Sequence, residues 1–345
     1  MITLKQIAGI VGVSQATVSR VLNFDATLQV LPQTRQAIIE TAEALNYATP
    51  RARQGKAPQW GRAVAGKSRK IAMMHYLRPE QELADPYYVG LRLGIESRSA
   101  TLGLDLSKVY HGDDPSEARL APGLAGVIAI GYHDDTRTAW LKDHVPNLVF
   151  ADHRPYDDQI DSVAADLGLA MRRLMVGLTG SGYRRLGFVG WANRDATGRI
   201  TSREPRCAAY MDWMQAAGQF DPDICQIDFN TEDSGYRLTQ SVLSRPNRPD
   251  CLICGNDNMA VGAYRAIAEM GLKLPEDIAI ASFNDISVAQ ILNPPLSTVH
   301  LPAEETGETA VDLLMERING RRVAKGVTLA TRMIWRGSTR APATA

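Results

Sequence analysis

The chain predicts a small all-α headpiece followed by an α/β body of two parallel-sheet lobes. Three observations carry that reading. Over the first 47 residues apolar positions repeat at helical spacing and are interrupted by capping residues. From Arg69 onward, apolar runs of strand length alternate with helical patterns, the order that builds parallel sheets covered by helices. The charge divides at the same place. Residues 1–70 hold ten basic residues against three acidic ones, a net +7, so the remainder must hold 28 basic against 35 acidic, a net −7.

Thr3 is placed to cap a first helix with apolar positions Leu4, Ile7, Ala8 and Val11, which Gly12-Val13 ends. Ser14 caps a second over Gln15–Leu22. Val18, Val21 and Leu22 face inward there, leaving Gln15, Ala16, Ser19 and Arg20 outward as a hydrogen-bonding surface rather than a solvated Glu/Lys face. Pro32 opens a third helix, with Ile38, Ile39, Ala42 and Leu45 along one side. Two short helices joined by a Gly-containing turn and braced by a third describe a helix-turn-helix, whose second helix is shaped for a major groove. The basic charge suits the same partner. Residues 48–68, rich in Pro, Gly and Arg, read as a linker.

In the body, buried strands are expected at Lys70–Met74, Asp105–Val109, Gly126–Ile130, Asn147–Ala151, Leu186–Gly190, Asp250–Cys254 and Ile278–Phe283. Helical patterns lie between several of them, such as Tyr88–Leu102 and Leu167–Thr179. About 270 residues of such repeats suffice for two lobes, with ligands expected at the carboxyl ends of the strands.

Several function classes drop out. A hydrophobic fraction of 45% excludes a disordered chain or a collagen-like fibre. The start lacks a signal-peptide pattern, and no apolar run approaches the ~18 residues of a membrane span, so the chain reads as soluble and cytoplasmic. Cys251 and Cys254 form a CxxC inside an apolar run with no second Cys or His pair nearby, which reads as a buried strand rather than zinc or redox chemistry. Gly180-Ser-Gly182 precedes a strand and completes no GxGxxG; no GxSxG, P-loop or HExxH is present. No catalytic set, metal or cofactor is implied.

The segments Thr3-Leu-Lys-Gln-Ile-Ala, Gly12-Val-Ser, Ala16-Thr-Val-Ser-Arg-Val-Leu-Asn23 and Leu45-Asn-Tyr47 closely resemble the DNA-binding headpiece of the LacI/GalR family of transcription factors. The resemblance implies that Gln15, Ala16 and Arg20 read base edges, Arg20 by a bidentate bond to guanine. It places Thr3, Ser14, Thr17, Ser19, Thr34, Asn23 and Tyr47 at phosphates, which set register without carrying sequence information. Family members fold a hinge helix in the linker and insert a Leu into the minor groove. Here Ala52-Arg-Gln-Gly55 has Gly55 at that position, and glycine cannot act as a wedge. Arg51 and Arg53 either enter the groove or attract phosphates; the duller reading of this basic stretch is a solvated tether.

The body resembles the same family over essentially its whole length, through Asp85-Pro-Tyr-Tyr88, Arg206-x-x-Ala-Tyr210, Asn256-Asp257-x-Met-Ala-x-Gly262, Leu274-Pro-Glu-Asp-Ile278 and Phe283-Asn-Asp285 followed by Pro294-Pro-Leu-Ser-Thr-Val299. The implied body is periplasmic-binding-protein-like, two α/β lobes joined by three crossovers with a small molecule, most commonly a sugar, in the cleft. Carried over residue by residue, Tyr87 or Tyr88 supplies a ring-stacking aromatic and Asp152 a sugar contact. Arg206 grips adjacent hydroxyls, Asn256 and Asn284 bind further hydroxyls, and Phe229 forms an opposite stacking wall. Each has a duller reading: a helix opening for the tyrosines, a turn cap for Asp152, an ion pair with Glu204 or Asp212 for Arg206, a turn for Asn256.

The reading is a sequence-specific transcriptional regulator, a repressor of carbohydrate-utilisation genes, controlled by a small sugar such as a galactoside. Its partners are double-stranded operator DNA and a second copy of itself in a homodimer, with no membrane. The expected divisions are a headpiece over 1–47, a hinge over 48–68 and a body over 69–340. Its N-lobe covers about 69–165 and 297–324, and its C-lobe about 166–296 and 325–340. The alternative is a cytoplasmic sugar-binding protein or carbohydrate-active enzyme built on the same body.

Overall fold

The computed structural model describes residues 3–22, 28–45, 69–110, 120, 122–194 and 199–340. Three helices open the chain: α1 (Leu4–Val11), α2 (Gln15–Leu22) and α3 (Pro32–Ala44). Thr3 and Gln6 form a capping box at the start of α1, and Gly12 ends it at φ 73°, a left-handed conformation that glycine adopts without steric cost. Ser14 Oγ accepts the Thr17 N–H at 3.0 Å and so caps α2. Ile7, Ala8, Val18, Val21, Ile38, Ile39 and Ala42 close into one core, as their spacing predicts, and Val89 and Leu93 pack onto it.

From Lys70 the elements are β1 (Lys70–His75), α4 (Pro86–Thr101), β2 (Asp105–Tyr110), β3 (Gly126–Ile130), α5 (Asp135–His144), β4 (Leu148–Ala151) and β5 (Asp161–Ala165). Next come α6 (Leu167–Gly180), β6 (Leu186–Arg194), β7 (Ile200–Arg203), α7 (Pro205–Ala216), β8 (Cys225–Asp228), α8 (Glu232–Leu243), β9 (Cys251–Cys254) and α9 (Asp257–Glu269). The chain finishes with β10 (Ala279–Asn284), β11 (Ser297–His300), α10 (Ala303–Ile318), β12 (Gly326–Leu329) and β13 (Arg332–Ile334). Contacts divide it into two units, Met1–Ala164 with Ala303–Thr328, and Ala165–Pro302 with Leu329–Ala345.

Each unit holds one sheet. The first has the order β12-β5-β4-β3-β1-β2; the second runs β13-β11-β10-β9-β6, with β7 and β8 both pairing β6. The boundaries expected near 297 and 324 are corrected by strand pairing. Ser297–His300 aligns with Ala281–Asn284 and therefore belongs to the second sheet. Lys325, just ahead of β12, accepts the Ser162 N–H at 3.0 Å, and β12 joins the first sheet beside β5. These short strands contain too few apolar residues to announce themselves; their partners select them. Cys251 and Cys254 are buried in β9, where burial pushes both thiols up.

Each unit also contains a helix pair that crosses through glycine. A Cβ on Gly94 of α4 would lie 2.0 Å from the Glu304 carbonyl oxygen of α10, and one on Gly307 2.2 Å from that of Leu91. In the second unit, a Cβ on Gly262 of α9 would lie 2.0 Å from the Glu232 carbonyl oxygen of α8, and one on Gly235 2.2 Å from that of Met259. The obstacle is backbone, which cannot swing aside. Gly94→Ala and Gly262→Ala are each expected to destabilise their own unit by about 3 kcal/mol, the upper end of ordinary overpacking, measured as the shift in urea midpoint.

Candidate DNA-reading and ligand-binding sites

Gln15, Ala16 and Arg20 are exposed on α2, and Ser19 is half-buried beside them. The hydroxyls of Ser14 and Thr17 lie 2.8 Å apart at the N-terminus of α2, the end of a helix that favours an anion. Thr3 occupies the corresponding place on α1, and Thr34 lies in the first turn of α3. Asn23, Tyr47, Arg51, Arg53 and Gly55 lie outside the described residues.

In each lobe the strand order reverses once, between β1 and β3 in the first and between β6 and β9 in the second. The crevice at the carboxyl ends of such strands is where open α/β sheets bind ligands. The two lobes treat it alike. Gly131 follows β3 at φ 76°, and a Cβ there would fall 2.1 Å from the ring of Tyr76, the residue after β1. Gly255 follows β9, and a Cβ there would fall 2.7 Å from the ring of Trp191, near the end of β6. Glycine thus lets an aromatic ring lie across each reversal point.

In the first lobe Asp152 follows β4 in a left-handed conformation, φ 62°, pinned by its N–H to Val163 O at 2.9 Å. Its carboxylate accepts the Tyr87 hydroxyl at 2.7 Å and the Tyr88 hydroxyl at 2.9 Å. Both tyrosines are placed by Asp85, which caps α4, and by Pro86 in its first turn. The rings expected to stack on a ligand therefore use their hydroxyls to orient an acceptor, and Tyr87 is itself buried. Burial, and then the Asp152 charge, hold the Tyr88 phenol well above its ordinary pKa, so it stays a donor. His75 lies against Tyr88 and Tyr76, at ring separations of 5.3 and 5.6 Å. Burial, helped by Arg92, lowers its pKa to about 3, leaving it neutral. Its Nδ1 accepts the Leu77 N–H at 3.0 Å, which puts the ring proton on Nε2. Nε2 has no partner among the described residues, so only half of this ring is satisfied.

In the second lobe Arg206 is the second residue of α7. Glu204 caps that helix by accepting the N–H groups of Arg206 and Cys207, and its other oxygen accepts Arg206 Nε at 2.8 Å. The guanidinium lies 4.6 Å from the Trp191 ring centre and 5.4 Å from that of Phe283. The ion pair weighed against ligand binding thus does a positioning job: carboxylate and rings fix the plane of a fork suited to paired oxygens. Trp191 escaped the sequence reading, which named Glu204 only as a rival ion-pair partner and Phe283 only within a strand and a family phrase. An aromatic closing an apolar strand was the available signal for Trp191.

Asn256 caps α9 by accepting the Met259 N–H at 3.0 Å, and its amide donates to Asn230 Oδ1 at 2.7 Å. Asn284 ends β10 at φ 111° and is buried. The adjoining turn is clamped: Asp285 accepts Arg336 Nη2 at 2.6 Å, and Asp257 accepts the Ile286 N–H at 2.9 Å and the Thr298 hydroxyl at 2.8 Å. Phe229, after β8, is 58% exposed.

Asp257 gives the second lobe a pH dependence. Burial pushes its carboxyl up to about 7, against the opposing hydrogen bonds from Thr298 and Ile286. The unfolded chain releases that proton near pH 4, so the folded lobe holds it in between. The contribution is complete below about pH 4 and is lost as pH rises to about 7, at about 1.4 kcal/mol per pH unit. Asp257→Asn is expected to flatten that limb, checked by urea denaturation at pH 4.5, 6 and 7.5.

Among the described residues no group of three His, Cys, Asp or Glu is placed to hold a metal, and no helix is long and apolar enough to cross a membrane. Residues 3–50 match the family model described as bacterial regulatory proteins of the lacI family, and residues 177–339 that of the periplasmic binding protein-like domain. The transcriptional regulator GalR of Lacticaseibacillus casei is 35% identical over 98% of this chain and 99% of its own length. The chain belongs to the LacI family. This LacI-family regulator is also 35% identical to the transcriptional repressor MelR of Bacillus subtilis, over 98% of this chain and 97% of that one. Two solved structures share its fold at a TM-score of 0.68 and 25% identity. CelR in complex with cellobiose is matched over 98% of this chain and all of that one. The lac repressor dimer bound to operator and the anti-inducer ONPF is matched over 99% of each chain.

Proposed function

We propose that this regulator is a cytoplasmic repressor of carbohydrate-utilisation genes whose operator affinity is set by a small sugar. The observation that carries the reading is the buried Arg206 fork, held in plane by Glu204 and two rings at the carboxyl edge of the second sheet. Sugars ask for this chemistry: paired donors for adjacent hydroxyls, a carboxylate acceptor such as Asp152, and flat apolar faces. Asn256, Asn284, Phe229 and one of Tyr87 and Tyr88 complete the sugar contacts. The preferred effector is a galactoside. Residues 1–47 read the operator as half of a homodimer, matched to two half-sites, and 48–68 link them to the sensing body, 69–340. Bound sugar acts by favouring one of two conformations that differ in affinity for DNA.

At the DNA, Gln15, Ala16 and Arg20 read bases, while Thr3, Ser14, Thr17, Ser19, Thr34, Asn23 and Tyr47 hold phosphates, with Arg51 and Arg53 beside them. Arg20→Ala is expected to cost about 1–3 kcal/mol on the specific site and relax discrimination at one base pair, read by competition against single-base operator variants. The deciding experiment is a titration on the gene's own upstream DNA at two salt concentrations, with and without a sugar panel. Specific binding weakened by one sugar supports the reading. Specific binding indifferent to every sugar removes the sugar, and only weak, steeply salt-dependent binding removes the operator reading itself.

A further inference from the structure

All four cysteines of the chain are free thiols. Cys251 and Cys254 are buried on β9, three residues apart, so their side chains leave opposite faces of the strand and cannot meet. Cys207 and Cys225 do meet. Cys225 opens β8 and pairs in register with Phe188 of β6, so these two side chains leave the sheet on the same side. The Phe188 ring stacks on that of Tyr210 at 5.2 Å, which makes this the side covered by α7. The Tyr210 hydroxyl donates to the Leu186 carbonyl at 2.7 Å and seats the helix there. Cys207 lies three residues ahead of Tyr210, one helical turn away on the same side of α7. There the Cys225 thiol donates to the Cys207 sulfur.

The two thiols differ in reactivity and access. The hydrogen bond from Cys225, against burial and the Glu204 charge, holds the Cys207 thiol below its ordinary range. The place of Cys207 in the first turn of α7 also favours a thiolate. The same contact, together with burial, pushes the Cys225 thiol up. Cys225 is half-buried, so a small oxidant reaches the pair from its side. Cys207 also belongs to the turn that shapes the Arg206 fork. It follows Arg206 directly, and Glu204 accepts both N–H groups, at 2.9 Å from Arg206 and 3.3 Å from Cys207. Its sulfur also lies 3.9 Å from Met211 Sδ.

We propose that Cys207 and Cys225 are a redox modification site, forming a reversible disulfide that disturbs the Arg206 fork. The oxidant is a peroxide. The Cys207 thiolate attacks one oxygen of hydrogen peroxide and the O–O bond breaks, leaving a sulfenic acid and a hydroxide that takes up the proton Cys207 released. The Cys225 thiol then attacks that sulfur. The S–S bond forms, the S–O bond breaks, and the hydroxyl leaves with the Cys225 proton as a second water. Two thiols have lost two electrons and two protons, and one hydrogen peroxide has become two waters. The bond draws the sulfurs to about 2.05 Å, closer than any hydrogen bond between them, and so shifts the first turn of α7 against Glu204. The effect on ligand rests on the reading of Arg206 as a sugar-binding residue; formation of the disulfide does not.

The full chain, reduced and peroxide-treated, is compared in three measurements. Alkylation and peptide mass mapping are expected to show a Cys207–Cys225 linkage that dithiothreitol removes, with Cys251 and Cys254 unoxidised. Amide hydrogen exchange over residues 204–210 is expected to quicken on oxidation, because the Arg206 and Cys207 N–H groups lose their hold on Glu204. Calorimetric titration with galactose, glucose, lactose and cellobiose is expected to show about a tenfold loss of affinity for whichever sugar the reduced protein binds, the worth of one hydrogen bond to a charged group. Dithiothreitol should restore both, and Cys225→Ser should abolish both changes. Absence of the linkage overturns the proposal. So does a linkage that leaves exchange or a measured affinity unchanged, and so do changes that persist in Cys225→Ser. If the reduced protein binds none of the four sugars, the sugar reading of Arg206 is overturned instead, and linkage and exchange alone decide the disulfide.

Discussion

Asp161→Ala is expected to destabilise the first lobe by about 3–5 kcal/mol, the cost of stripping one partner from a buried ion pair. Asp161 is fully buried on β5. It accepts Arg317 Nε at 2.8 Å, Arg321 Nη2 at 2.7 Å and Nη1 at 2.9 Å, and the Lys325 N–H. One carboxylate thus fastens β5 to the end of α10 and to the chain entering β12. Removing it leaves two mostly buried guanidinium groups without their counter-charge. Burial raises the Asp161 carboxyl, but Arg321, the Lys325 N–H and Arg317 outweigh burial and hold it below the usual range. Its stabilisation is therefore present above about pH 4 and lost as pH falls through its lowered value. Urea denaturation of the wild type and variant at pH 7 and pH 3 checks both points: a wide gap at the first, a narrower one at the second.

Arg206→Lys is expected to weaken effector binding by about 2–5 kcal/mol, roughly 30-fold or more, although charge and approximate length are kept. An ammonium cannot engage Glu204 through one nitrogen while presenting two others in the same plane, nor lie flat against Trp191 and Phe283. Calorimetric titration gives the loss in affinity. Operator binding as a function of sugar concentration should show the response displaced to correspondingly higher concentration. A lysine variant that responds like the wild type would mean that the fork serves only to hold α7 in place.

Most of the headpiece was legible because its signals are local. Thr3, Gln6, Gly12 and Ser14 act within four residues of their own position, and the apolar spacing of α1 to α3 closes one core. The long central strands were legible for a related reason: Gly126–Ile130 and Ala279–Asn284 are buried on both faces, so hydrophobicity alone marks them. Strands β5, β7, β8 and β11 to β13 were not legible. They are short, several lie at sheet edges, and their conformation follows from a partner distant in sequence, as Thr298 follows from Ser282 and Ile334 from Thr298.

Residue chemistry at the carboxyl edges of the strands divides the same way. Asp152, Arg206, Asn256 and Asn284 were marked by side-chain type and by their place after a strand or at a helix start. What each does locally depended on neighbours the sequence keeps apart. Tyr87 and Tyr88 turn their hydroxyls to Asp152 across more than sixty residues. Asn256 spends its amide on Asn230, and Arg206 lies between Trp191 and Phe283, fifteen and seventy-seven residues away in the chain. Composition, caps and periodicity act over one or two turns or strands, and by themselves they determined a basic helical headpiece on an acidic α/β body. Only the tertiary structure decided which groups are oriented by which, because hydrogen bonds and ring contacts are set by distance in space, and two strand-order reversals bring those distances down to a few ångströms.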